Sequence, residues 1–239
     1  MTKYCSKCGR LLEKGAKCDC QASKKVARKE TINSLIKEFL TIYKTIFTKP
    51  IDTIKTYTNK PNMIISSIQV VLFALITGIY SLFIAKSVYV IYGIITKEYF
   101  TAIYNANINS ITLNTNIPYF RIFIIAILFI IILTILTTVA IYLVNSLIFK
   151  SKSNIKRVFC LYSINTVIPT IALIIASLVS LISFQLSLII LLFATILANI
   201  YLFSGIKFIS IKDDNKYAYI YIISVIVIFI VFYILFKII

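Results

Sequence analysis

Apolar positions recur along this chain in two different ways. From Ile32 to Phe47 they come at helical intervals: Ile32, Leu35, Ile36, Phe39, Leu40, Ile42, Tyr43, Ile46 and Phe47 fall on one face, and Ser34, Lys37, Thr41, Lys44 and Thr45 on the other. That period predicts an amphipathic helix of about four turns. Pro50 ends it, because proline offers no N–H to the helical ladder. A shorter stretch then sets Ile51, Ile54 and Tyr57 against Lys55 and Thr56, and Pro61 precedes the first long apolar run. Residues 32–62 are therefore expected to form juxtamembrane helices.

From Met63 onward the apolar residues come in long charge-free blocks. Met63–Ala85 has 23 uncharged residues, roughly 35 Å as a helix, enough to cross a hydrocarbon core of about 30 Å. Lys86–Pro118 is mixed, with Lys97, Glu98 and asparagines at 105, 107, 109, 114 and 116. It reads as the longest extramembrane loop, its apolar start extending the first helix. Tyr119–Phe149 has 31 residues with only Arg121 charged, which predicts a tilted second span. Val158–Ile206 holds 49 uncharged residues, over roughly 70 Å as one helix, too long for a single crossing. It must fold back, with the turn near Ser180–Ser187. Tyr217–Phe236 supplies a last span. The expectation is an all-α polytopic membrane protein whose domain 63–239 has five transmembrane helices at about 63–85, 119–149, 158–182, 184–206 and 217–236.

Composition excludes a water-soluble globule. Hydrophobic residues make up 60% and charged residues 14% of the 239, against about 45–50% and about 25% in soluble domains. The net charge of +17 would suggest nucleic acid in a soluble protein. Here 14 of the 25 Lys and Arg precede residue 63, so no nucleic acid is expected and the excess belongs to a basic head beside a membrane. Residues 24–60 carry nine basic and three acidic residues. A basic amphipathic segment of this kind, residues 32–60, is expected to lie on an anionic lipid surface. The alternative is that its apolar face packs on a partner protein or on the membrane domain's own loops.

Charge also sets the expected orientation. With the head, residues 150–157 and residues 207–216 on one side, 21 basic residues face Lys86, Lys97, Arg121 and Lys237 on the other. Positive residues stay inside, so the N-terminus is expected in the cytoplasm and the C-terminus outside. Met1–Pro61 holds no apolar run of signal-peptide length, so the first span is expected to act as an uncleaved anchor.

Four of the five cysteines, Cys5, Cys8, Cys18 and Cys20, lie within sixteen residues. Tyr4-Cys5-Ser6-Lys7-Cys8-Gly9 has the turn that aims two thiolates at one point, and a second pair follows after nine residues, spaced Cys-x-Cys rather than Cys-x-x-Cys. Four soft ligands so gathered suit tetrahedral zinc, giving a zinc ribbon at 1–22 joined by a basic linker, 23–31. The alternative is redox-active thiols or a disulfide, which a reducing cytoplasm disfavours. Cys160 starts an apolar run and is expected to behave as a small hydrophobe.

The rest of the chain is poor in reactive groups. There is no histidine, which removes Ser-His-Asp and Cys-His catalysis. No P-loop, GxGxxG or HExxH motif occurs, and no enzyme activity is expected. No Asp, Glu, Lys or Arg falls near the middle of a span, which argues against proton-coupled transport. Gln69, Thr77, Thr134, Thr137, Thr138, Asn145, Asn165, Thr166, Thr195 and Asn199 are candidate polar residues in the first four spans. They are expected to hydrogen-bond between helices, with Asn165 and Pro169 as a kinked polar site in the sharper reading.

The order of parts resembles bacterial members of the Yip family of five-span membrane proteins. The features concerned are the Tyr4-Cys5-x-x-Cys8-Gly9 ribbon, the basic helix leading to Lys49-Pro50-x-x-Thr53-Ile54, and Ile164-Asn165-Thr166-Val167-Ile168-Pro169 in the third span. The resemblance implies a non-enzymatic scaffold or adaptor with a cytoplasmic zinc-ribbon head that binds a protein partner. Two other readings stay open: a small-solute permease or permease subunit, and a membrane-tethered metal or thiol sensor.

Overall fold

The computed structural model describes the backbone of residues 3–4, 11–12, 20–95, 117–150, 154–209 and 214–238. The chain divides into two units, Met1–Thr45 and Ile46–Ile239. In the first, strands β1 (Lys3–Tyr4) and β2 (Leu11–Leu12) pair antiparallel, Lys3 opposite Leu12 and Tyr4 opposite Leu11. Helix α1 runs from Cys20 to Thr48. It takes in residues 23–31, so the segment expected as a linker is helical. Nothing in Gln21–Thr31 breaks a helix: it has neither proline nor glycine, and its Ala, Lys, Arg and Glu are good helix formers.

The apolar stripe of α1 is divided rather than uniform. Leu35, Phe39 and Tyr43 are half-buried, with the Phe39 and Tyr43 rings 5.0 Å apart, whereas Ile32, Ile36 and Leu40 are exposed beside Lys37, Thr41 and Lys44. The stripe is wider than one surface can cover.

The second unit is helical throughout its described residues. Helix α2 spans Pro50–Asn59, α3 Met63–Ile95 and α4 Tyr119–Leu143, the last ending in a π-helical turn, Val144–Ile148. Helix α5 (Ile155–Asn165) breaks at Thr166 into α6 (Val167–Ser180), and α7 (Phe184–Ile206) and α8 (Asp214–Ile238) follow. Local chemistry sets several of these ends. Lys150 adopts φ 51, a left-handed conformation that stops the helix before it. Asn154 caps α5 through the Lys156 N–H, and Ser183 caps α7 through Leu186 N–H. The apolar start of the 86–118 segment extends the first helix to Ile95, as the pattern predicted.

Four helical segments are long and apolar enough to cross a membrane: Met63–Ala85, Tyr119–Ile148, Ile155–Ser180 and Phe184–Ile206. The 49-residue run does fold back, through Leu181–Ser183, and α6 packs along α7. In α8 the apolar stretch among residues with described side chains is shorter, Lys216–Val231. The third crossing, α5 with α6, is the central one: 72% of its apolar window is buried, against 39%, 22% and 22% for the others. Around it, Phe73, Ala74, Tyr80, Ile130, Leu173 and Ala176 form the core of α3, α4 and α6. Small residues allow that approach. A Cβ on Gly78 would stand 2.8 Å from the Phe123 ring and 2.9 Å from the Ile127 side chain, so glycine lets α3 and α4 meet there without displacing either.

Candidate functional site

One end of the bundle is held as a plate. Arg157, in the first turn of α5, donates from Nε to Thr58 O at 3.2 Å and from a terminal nitrogen to Asn59 Oδ1 at 2.6 Å and Phe208 O at 2.7 Å. It thereby ties the end of α2 to the end of α7. Asn145, in the π-helical turn, donates to Ile209 O at 3.2 Å, adding the end of the second span. Below the plate Ile54 of α2 packs into α5 and α7: a Cβ on Gly205 would run into Leu161 and lie 3.0 Å from Ile54 Cγ2, and all three residues are buried. Charged guanidinium–carbonyl bonds are stronger than neutral ones, so a single arginine fixes three chain segments that lie far apart in sequence.

Deeper in, a tier of polar side chains recurs at one level. Asn165 is eight residues past Arg157, Thr137 eight before Asn145, and Asn199 eight before Lys207. At about 1.5 Å per residue each lies about 12 Å below the plate. On the α3 side the tier is paired. Gln69 Nε2 donates to Thr166 Oγ1 at 3.3 Å and Thr170 Oγ1 at 3.1 Å, and Ser66 Oγ to Cys160 Sγ at 3.0 Å. Thr166 and Thr170 hydroxyls in turn donate to the carbonyls of Ser163 and Thr166. The Tyr162 phenol interacts with Thr134 and Thr137. Toward the far end Tyr80 and Ser187 hydroxyls are 3.1 Å apart. These pairings match the interhelical role expected for Gln69, Thr134, Thr137 and Thr166.

On the other side of the α5–α6 break the tier opens into a cleft of about 290 Å³. Tyr162, Asn165, Pro169 and Thr195 line it with Asn199 and Thr137, and the apolar walls come from Phe73 of α3, Leu133 of α4, Leu202 of α7 and Val225 and Phe229 of α8. Asn199 is satisfied, donating to Thr195 O at 2.8 Å and accepting from Tyr221 at 3.0 Å. Asn165 is not: its Oδ1 is buried and has no hydrogen-bond partner. Its backbone carbonyl lacks the usual i+4 donor as well, since that position is Pro169. The bonds across the break run to the carbonyls of Tyr162, Ser163 and Thr166 instead.

Among the sequence-predicted site residues, Cys5, Cys8 and Cys18 lie outside the described residues, and Cys20 is the first residue of α1. Among the described residues no group of three or more His, Cys, Asp and Glu side chains could hold a metal. Cys160 is a buried free thiol. The sequence reading passed over Arg157, Tyr162 and Thr170. Tyr162 could have been found from its i,i+3 spacing to Asn165, which puts both on one helix face. The partners of Arg157 are backbone carbonyls and leave no sequence trace. No protein-family model, no curated protein and no solved structure matches this chain.

Proposed function

We propose that the chain is a five-span protein of the cell membrane, N-terminus inside, that acts as a non-enzymatic scaffold or adaptor. Its cytoplasmic head, residues 1–22, holds one zinc ion on Cys5, Cys8, Cys18 and Cys20 and recruits a protein partner, and residues 32–60 rest on anionic lipid. The observation that carries the reading is where charge falls. Within the four segments Met63–Ala85, Tyr119–Ile148, Ile155–Ser180 and Phe184–Ile206 the charged side chains, Arg121, Lys156 and Arg157, stand at the ends, and the interior polar groups are spent largely on one another. An ion or proton carrier needs ionisable groups along its path.

Other features support the parts. Helix α8 continues to Ile238, and its 25 residues reach about 37 Å, enough for a fifth crossing. The plate gathers the ends of α2 and α7 and the start of α5, the segments whose basic flanks favour the cytoplasm. Strands β1 and β2, which flank Cys5 and Cys8 in the sequence, pair antiparallel. Exposed Ile32, Ile36 and Leu40 beside Lys37 and Lys44 suit an interface between headgroups and acyl chains. The likeness to the Yip family fits the same arrangement of head, helix and spans.

Reconstitution of the full chain tests the reading. Proteoliposomes should show the proton and potassium permeability of empty vesicles, and purified protein should carry about one zinc per chain, kept in Cys160→Ser and lost in the Cys5→Ser, Cys8→Ser double variant. In cells, a photo-crosslinker placed in residues 1–22 should trap one defined protein, and that adduct should vanish with the zinc. Ion flux that rises with the amount of protein would overturn the scaffold reading, and a zinc-free wild-type protein with an unchanged adduct would overturn the role of the head.

A further inference from the structure

The cleft beside Asn165 poses a chemical demand that the protein itself does not meet. Among the described residues four buried side-chain polar atoms lack partners: Thr58 Oγ1, Thr138 Oγ1, Asn145 Oδ1 and Asn165 Oδ1. Thr58 and Asn145 belong to the plate, and neither lines the cleft. Thr138 can turn its hydroxyl onto the carbonyl four residues back, as Thr134 and Thr137 do. Of the four, Asn165 lines the cleft. Its Oδ1 and its backbone carbonyl are two acceptors about 12 Å below the plate, in a region where an unsatisfied polar group is expensive and water is scarce.

From this we infer that the cleft binds an uncharged lipid carrying a free hydroxyl, of the diacylglycerol class, with the hydroxyl donating to Asn165 and the chains lying along α7 and α8. The orphan acceptors require a donor on the ligand, which excludes fully esterified glycerides. Among the described residues no charged side chain lines the cleft, so the phosphate of a phospholipid or the carboxylate of a fatty acid would enter without a counter-ion. The walls are apolar on the α8 side, Val225, Ile228 and Phe229, as an acyl chain needs. The cleft opens sideways: Thr195 and Asn199 on its rim are exposed on α7, and Phe229 is exposed on α8. A volume of about 290 Å³ admits a glycerol head and the first part of a chain, the remainder extending into the bilayer. This inference does not depend on the scaffold reading or on zinc.

The test uses the full chain in nanodiscs of phosphatidylcholine and phosphatidylglycerol. One photoactivatable diacylglycerol carries a diazirine in an acyl chain, and a second probe is identical except that its hydroxyl is methylated. The hydroxyl probe should label peptides containing Thr195–Leu202 and Val225–Phe229 at least fivefold more than the ether. Excess unlabelled diacylglycerol should compete, and hexanol should not. Asn165→Leu and the cleft-filling Val225→Phe should each reduce labelling at least fivefold. Asn165→Leu should also remove the rise in melting temperature that diacylglycerol gives the wild type, a readout that separates lost binding from a folding defect. Equal labelling by both probes, labelling unchanged in a well-folded Asn165→Leu protein, no labelling at all, or competition by hexanol alone would overturn the inference.

Discussion

The two sides of the α5–α6 break differ in one respect that organises the molecule. Toward α3, Thr166 and Thr170 meet Gln69 and every hydroxyl has a use. Toward α7 and α8, Asn165 Oδ1 has no partner. Both sides lie at the same depth and come from the same six residues of sequence, so neither polarity nor position in the span distinguishes glue from site. What distinguishes them is whether the facing helix supplies a partner. In a membrane an unfilled acceptor is a stronger indication of a ligand than an additional polar residue.

The paired region breaks most severely where backbones are closest. Gly205→Leu drives a side chain into buried Leu161 and Ile54, and should cost about 3 kcal/mol by the usual scale of overpacking, measured by reversible unfolding in mixed micelles. Arg157→Met keeps the aliphatic stem and removes three hydrogen bonds. A loss of about 2 kcal/mol is expected, together with faster hydrogen exchange at the end of α2.

The sharpest comparison sets Gln69→Leu against Asn165→Leu. The first removes bonds to two threonines and should destabilise by about 1 kcal/mol. The second removes an unsatisfied acceptor and should stabilise the protein by about 1 kcal/mol in the absence of ligand. Opposite signs in one unfolding assay would bear out the division, and equal signs would erase it. The smallest effect belongs to Lys150→Gly, which relieves a left-handed residue of its Cβ and should stabilise by about 1 kcal/mol or less, visible as a small rise in melting temperature.

Much of the fold was legible in the chain because the bilayer imposes length. A 49-residue apolar run cannot be one crossing, and the hairpin turn falls at Leu181–Ser183, inside the expected Ser180–Ser187. The polar roster of the spans was legible too, Asn165 and Pro169 included. What the sequence could not show was pairing. Gln69 and Thr170 are 101 residues apart, and only the packing of α3 on α6 brings them together. Gly78 and Gly205 likewise matter through neighbours distant in sequence. Helix α1 reaches back to Cys20 through a polar basic stretch in which nothing opposes helix.

The proposed topology puts the plate on the cytoplasmic side of the membrane and the hairpin tip on the other. Single cysteines at positions 60, 150, 207 and 182, placed in an otherwise cysteine-free chain and probed in intact cells with an impermeant maleimide, test this directly. Positions 60, 150 and 207 should stay unlabelled until the membrane is permeabilised, and position 182, in the exposed turn between α6 and α7, should react from outside. Labelling of 150 or 207 from outside in intact cells would contradict the account.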